Sequence, residues 1–383
     1  MWRMLLVGVV MIAVTLFGFS LVSISGDKAV TANTLLESPP INAEGFARAE
    51  SPKEWNFPQD FGAHPQYQTE WWYYTGNLTA DSGERFGFQF TIFRRAIAPT
   101  APQTDSEWRS NQIYMVHFTI SDINNGKFYH DERYSRGSAD LAGATGEPYR
   151  VWIEDWVIEA QNADATQTTI RAQANDFAID LALEQVKPTA LQGNNGLSAK
   201  SNEIGNASYY YSLTRLLTQG TISIGERVYS VSGVSWKDHE FGTSALGKNA
   251  QGWDWFGLIF DDNTELMIGQ IRLSDGGKEP AFGGMYVYPD GSTRYLPSSD
   301  FTITPTDTWT SPHTGAVYPS GWEVTVNSGD VQLAFTITPF IRDQELYGSN
   351  VEYWEGAVQV TGDVTGVGYA ELTGYVDTMQ GRF

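Results

Sequence analysis

No cysteine occurs anywhere in this 383-residue chain. That excludes disulfides, thiolate nucleophiles, Cys-ligated zinc and a lipid carried on an N-terminal cysteine. It is compatible with an oxidising compartment, where a stray thiol is a liability. Histidine is scarce too, five in all, which argues against a His-rich metal centre. Positive charge is outnumbered, 24 Lys and Arg against 45 Asp and Glu, for a net charge of −21. Such a field repels a phosphate backbone, so no nucleic-acid partner is expected. Long Ala/Glu/Lys/Leu-rich stretches are missing, as are the G-x-S-x-G elbow, the P-loop, H-E-x-x-H and the EF-hand loop. Neither a cofactor nor a metal is expected.

Glycine (38 residues) and aromatics (14%) are what the chain has instead, and they favour strands and turns over helices. The length suits two domains. Arg3 precedes an apolar run over residues 4–22, followed by Ser23 and Ser25 before Gly26. Residues 1–25 therefore read as a signal peptide or an uncleaved membrane anchor. The expected location is exported, periplasmic or extracellular, with tethering through residues 4–22 as the anchored variant. Residues 26–54 carry Ser38-Pro39-Pro40 and Ser51-Pro52 and read as a linker.

An internal repeat organises the remainder. Trp72, Tyr74 and Gly76 pair with Trp253, Trp255 and Gly257 at one constant offset, and so do Asp81 with Asp262, Glu84 with Glu265 and Gln89 with Gln270. Each copy reads as a strand, an acidic turn and a strand. Alternation in FAIDLAL (177–183) points one face inward. Two copies of many short strands in one order predict an all-β chain of two similar antiparallel barrels, over 55–245 and 246–383. The first holds two extra loops, 96–112 and 190–206, and is expected to own the ligand cavity.

GVSWKDHEFG (233–242) concentrates the chemistry. On a strand, Trp236, Asp238 and Glu240 share one face and Lys237, His239 and Phe241 the other. An Asp desolvated beside a Trp has a raised pKa and can hold a proton near neutrality, as a general acid must. A buried Asp–His pair that only closes the barrel is the alternative. Glu240 is expected to bond to backbone or to Arg94. Glu70, Trp72 and Tyr74 are candidates for an aromatic cavity wall, with His117, Tyr209 and Tyr211 on other alternating strands. Arg94 and Arg95 could neutralise Glu70 or cap a strand.

EWWYYTGNL, FGFQFTIFR, MVHFTISD, SYYYSLTRL, SGVSWKDHEFG, YWEGAVQVTG and GYAELTGY, taken in order, resemble the AttH-like family from Trp55 to Tyr375. Its best-known enzymes are the carotenoid 1,2-hydratases (hydroxyneurosporene synthases). The resemblance implies two tandem lipocalin-like barrels. It also implies acid-catalysed addition of water to an isoprenoid or related apolar alkene. The hydratase motif resembles Tyr-x-Asp-His-Asn, so Asp238 is the implied proton donor, with Trp236 and His239 beside it and Glu240 at the Asn position. The hydratases carry a His and a Trp where this chain has Tyr209–Tyr211, which leaves carotenoid specificity open. A non-catalytic carrier of lipid or pigment and a secreted hydrolase are the competing functions.

Overall fold

In the computed structural model the described residues are 43–379, apart from 102, 244, 245, 349 and 350. The expected signal or anchor segment, residues 1–25, lies outside them, as does the linker up to residue 42. Among the described residues the regular structure is strand, with one 3-10 turn at Gln59–Phe61 and no α-helix. No described helix is long and apolar enough to cross a membrane.

The first sheet contains β1 (Thr69–Ala80), β2 (Arg85–Ala96), β3 (Gln112–Asp122), β4 (Lys127–Arg136), β5 (Ala142–Gly146), β6 (Tyr149–Ile153), β7 (Trp156–Ala160), β8 (Gln167–Gln173) and β9 (Phe177–Gln185). After the short β10 (Ala190–Leu191) and β11 (Leu197–Ala199) come the long β12 (Ala207–Ile224) and β13 (Arg227–Gly242). Their order is β4-β3-β2-β1-β13-β12-β9-β8-β7-β6-β5, all antiparallel neighbours, curled into a nearly closed barrel. The second sheet follows from β14 (Ala250–Phe260), β15 (Glu265–Leu273), β16 (Gly284–Val287), β17 (Thr293–Leu296) and β18 (Phe301–Pro305). A small separate pair, β19 (Thr308–Thr310) and β20 (Val317–Pro319), intervenes. It is completed by β21 (Trp322–Ser328), β22 (Val331–Pro339), β23 (Glu345–Leu346), β24 (Tyr353–Gly362) and β25 (Gly366–Leu372). Its order, β17-β16-β15-β14-β25-β24-β22-β21-β18, repeats the plan of the first. The two tandem barrels expected from the sequence are thus present.

Alternation decides what fills each barrel. Trp72, Tyr74 and Leu78 of β1, with Phe86, Phe88, Phe90 and Ile92 of β2, point inward and leave the first barrel packed with side chains. Phe256, Leu258 and Phe260 of β14 do the same in the second. The repeat itself sits one residue away from its reading in the sequence. The bond from Ala80 N to Glu84 O matches that from Phe260 N to Thr264 O, and Asp81 N to Ser230 O matches Asp261 N to Thr365 O. Ala80 therefore corresponds to Phe260, and Gln89 does not correspond to Gln270. Because side chains alternate, a one-residue slip turns every residue to the opposite face. Gln89 points outward, whereas Gln270 shares the inward parity of Leu266 and Ile268 and donates to Asp254. The sequence signal for a repeat was sound in order and wrong in register.

The barrels pack together through the outward faces of β1, β2, β12 and β13 against those of β14, β24 and β25. Tyr73, Tyr210 and Trp236 meet Trp255, Ala357 and Tyr369 there. Asn77 Nδ2 donates to Gly368 O at 3.0 Å, and Ser121 Oγ to Gln344 Oε1 at 2.6 Å. Glu265, fully buried, accepts from Arg215 Nε at 2.5 Å and from Lys187 Nζ at 2.8 Å. Two cations from the first barrel thus hold one carboxylate of the second. A bulge in β12 between Leu213 and Leu216 is where Arg215 sits.

Candidate active site

Strand β13 runs between β1 and β12, so each of its side chains has a neighbour on both sides. Asp238 is level with Tyr73 of β1 and Ser212 of β12, and Glu240 with Trp71 and Tyr210. All six face outward, toward the second barrel. Opposite them stand Trp253 and Trp255 of β14, Tyr353 of β24 and Glu371 of β25. The space between is an aromatic-walled cavity lined by side chains of both barrels. The expectation that the first barrel alone owns the cavity is therefore corrected. Aromatic side chains fill that barrel's interior, and the opening lies between the outer faces instead.

Three groups hold the Asp238 carboxyl. Trp236 Nε1 donates to Oδ1 at 2.7 Å, Ser212 Oγ to Oδ1 at 2.5 Å and Tyr210 Oη to Oδ2 at 2.5 Å. Tyr210 Oη in turn accepts from Trp255 Nε1 at 3.1 Å, a bond across the barrels. Burial raises Asp238 to about 7, against the pull of its three donors. Glu371 receives one hydrogen bond, from Trp253 Nε1 at 3.1 Å. Burial lifts it to about 8, helped by the negative charges of Asp238 and Glu240. Glu355 is buried behind them and accepts from Tyr73 Oη at 2.7 Å; burial, with Glu371 nearby, pushes it well above the usual carboxylate range. Glu240 also lines the cavity. Its partners are Ser208 Oγ and Lys200 Nζ, the latter at 2.7 Å, in place of the expected backbone or Arg94.

The remaining sequence candidates divide by strand parity. His239 is level with Trp72 of β1 and Tyr211 of β12, and all three point into the first barrel. Trp72 donates to Phe61 O at 2.8 Å, and Tyr74 shares a 2.9 Å bond with Tyr149. Tyr209 packs with Phe241 at the barrel end and donates to Ser51 O at 2.8 Å. Glu70 lies on this same face. Trp72, Tyr74, Glu70, Tyr209, Tyr211 and His239 therefore do not line the cavity; their neighbours one residue along, Trp71, Tyr73 and Tyr210, do. His117 faces outward but sits behind the wall, its Nδ1 2.7 Å from Tyr353 Oη. Glu371, Tyr73 and Tyr210 were missed as site residues because alternation fixes only relative faces within a strand. Which face of β1 joins which face of β13 is set by register.

The inward groups form a closed set. Arg94 Nε pairs with Glu70 Oε2 at 2.7 Å, the neutralisation that the sequence allowed. His64 Nδ1 and His239 Nε2 each lie 2.8 Å from Glu70 Oε1. Among the described residues these three are the group whose spacing could hold a metal, with ligand atoms within 4.8 Å. Hydrogen bonding accounts for the contacts, and Arg94 already neutralises the carboxylate. Although burial opposes it, Arg94 with the two histidines holds Glu70 well below the usual range. Burial drives His239 down to about 3, so its ring is neutral.

Residues 48–375 match the family model described as AttH-like. The chain belongs to the AttH-like family. A crystal structure of an AttH protein from Nitrosomonas europaea is 36% identical, with a TM-score of 0.76 over 85% of this chain and 99% of that one. Kievitone hydratase from Nectria haematococca shares the AttH-like fold at 14% identity, TM-score 0.64, covering 88% of this chain and 98% of its own. CghA shares it at 11% identity and TM-score 0.50, over 86% and 96%. No protein among curated sequences matches this chain.

Proposed function

We propose that this AttH-like protein adds water to a double bond of an apolar small molecule bound between its barrels. The observation that carries the reading is a pair of buried carboxyls, Asp238 and Glu371, raised to about 7 and about 8 in one aromatic cavity. Alkene hydration needs a group that gives a proton to carbon and a group that takes one from water. It also needs a surround that tolerates a transient cation, and the indoles of Trp71, Trp253 and Trp255 in the cavity lining suit that task. The fold shared with kievitone hydratase supports this class of reaction and leaves the substrate open. The apolar run over residues 4–22 supports export.

The test incubates the protein in heavy-oxygen water with a prenylated phenol and with a linear polyene ending in an isoprenoid double bond. An alcohol carrying the label is the expected product. Tight binding of both probes with no labelled alcohol from either would replace the hydratase with a carrier.

A further inference from the structure

Resting on the hydratase reading, we infer that Glu371 of the second barrel is the proton donor and that Asp238 is the anion that accepts the proton from water. This reverses the role that the sequence motif implies for Asp238. The argument is the polarity of the hydrogen bonds. An indole N–H can only donate, so Trp236 requires an acceptor at Asp238 Oδ1. Tyr210 Oη already accepts the N–H of Trp255, which leaves its own proton directed at Asp238 Oδ2, 2.5 Å away. Ser212 Oγ adds a third contact on Oδ1. Both oxygens of Asp238 thus face donors, and a proton on either would have to turn the Ser212 or Tyr210 hydroxyl away from the donating role it has here. The shell is built for a carboxylate.

Glu371 has the opposite surroundings. Its carboxyl takes one hydrogen bond, from Trp253, and otherwise faces the cavity. The ionisable groups around the pair are Glu240, which is ion-paired with Lys200, and the buried Glu355. Among the described residues no cation contacts Glu371 to favour its charge. Two neighbouring carboxyls whose environments differ in this way divide into an acid and a base.

In the forward step the Glu371 O–H bond breaks as a C–H bond forms at the less substituted alkene carbon. The π bond is lost and the cation sits on the more substituted carbon. Water forms the C–O bond and gives up a proton to Asp238, for which the Tyr210 hydroxyl offers a hydrogen-bonded relay. Glu371 is left as carboxylate and Asp238 as acid. A proton returned through solvent resets them, so alkene and water become alcohol.

Infrared difference spectra of the unliganded protein at pH 7 test the placement, with glutamate carboxyls labelled by heavy carbon. Wild type minus Glu371→Gln is expected to show a neutral-carboxyl band that moves with the label. Wild type minus Asp238→Asn is expected to show ionised-carboxylate bands with a weaker neutral band that does not move with the label. A neutral band larger in the Asp238→Asn difference than in the Glu371→Gln difference overturns the assignment. Should Asp238→Asn not fold, the glutamine variant decides alone: no label-sensitive neutral band missing means Glu371 does not hold the proton. The spectra need no substrate. A protein that hydrates neither probe would therefore sink the reaction reading, and with it the donor role, while the spectra would still decide which carboxyl holds the proton.

Discussion

Two successive side chains on β13 show how one strand serves two purposes. Lys237 points into the first barrel, where the rings of Phe61, Tyr74, Tyr149 and Tyr211 surround its ammonium at 4.3 to 5.6 Å. Asp238 points out, into the cavity between the barrels. Both are buried and both have shifted pKa values. Inside the barrel, polar groups are packed on all sides, and Glu70, Arg94, His64 and His239 satisfy one another. On the outer face the carboxyls meet open space across from a second wall. A buried ionisable group reads as structural when its surroundings close over it. It becomes a candidate for chemistry when a void large enough for a ligand remains beside it.

The largest expected effect falls on the outer face. Glu371→Gln and Asp238→Asn are each predicted to lower hydration by roughly two to four orders of magnitude, the scale of proton-transfer catalysis. Neither should much reduce binding of the apolar probe, measured by quenching of tryptophan fluorescence. Equal turnover in either variant and wild type would break the contrast between the two faces. On the inner face the matching change is Arg94→Met. It strands the buried Glu70 carboxylate and is predicted to cost about 3–5 kcal/mol in urea unfolding.

The pH dependence of stability separates the faces by sign. Asp238 has a folded pKa of about 7 against 3.8 unfolded, so the folded state binds the extra proton between those values. Its contribution is fully present at low pH and is lost as pH rises through about 7. The amount is on the order of 4 kcal/mol at most. Burial holds Lys237 well below 10.5, so there the unfolded state binds the extra proton. Its burden on stability is therefore relieved as pH rises toward 10.5. Asp238→Asn is predicted to flatten the fall in melting temperature between pH 5 and pH 8. Lys237→Met should raise the melting temperature at pH 7 and gain less at pH 10. Parallel melting curves for Lys237→Met and wild type at every pH would show that the ammonium stays charged in its cage.

The order and number of strands were legible because aromatic and β-branched residues alternate between turn signals, as in FAIDLAL and in the Asp81 turn. Asp238, Trp236 and Glu240 were legible as one face because the period of a strand is two. Trp72 and Tyr74 were assigned to the cavity because both faces of β1 are aromatic, WWYY, and alternation cannot say which one meets Asp238. Register supplies that, and it is a long-range property: Tyr73 pairs with Asp238 across more than half of the first domain. Glu371 was hidden for a related reason. In the second barrel Thr373, level with Trp253, stands where Asp238 stands in the first. A search for a matching acid finds none at that position, while Glu371, at the place of Trp236, supplies the carboxyl two residues earlier.

The smallest expected effect concerns how closely the outer faces approach. Gly87 of β2 lies where a methyl group would come within 2.7 Å of both Ala357 Cβ and Tyr369 Oη of the second barrel. Backbone from one barrel and side chains from the other leave no room for a larger residue. Gly87→Ala must shift one wall against the other, at about 1–3 kcal/mol. The double variant Gly87→Ala with Ala357→Gly removes one of the two clashes and keeps the Tyr369 contact. It is predicted to recover part of the loss, so that the two changes couple favourably rather than add. Because the first barrel's interior is untouched, amide hydrogen exchange read peptide by peptide in a mass spectrometer should quicken at the β2, β24 and β25 seam before it quickens inside either barrel. If Gly87→Ala costs less than about 0.5 kcal/mol, the seam yields easily. The cavity walls would then be set by ligand binding rather than by rigid contact between the barrels.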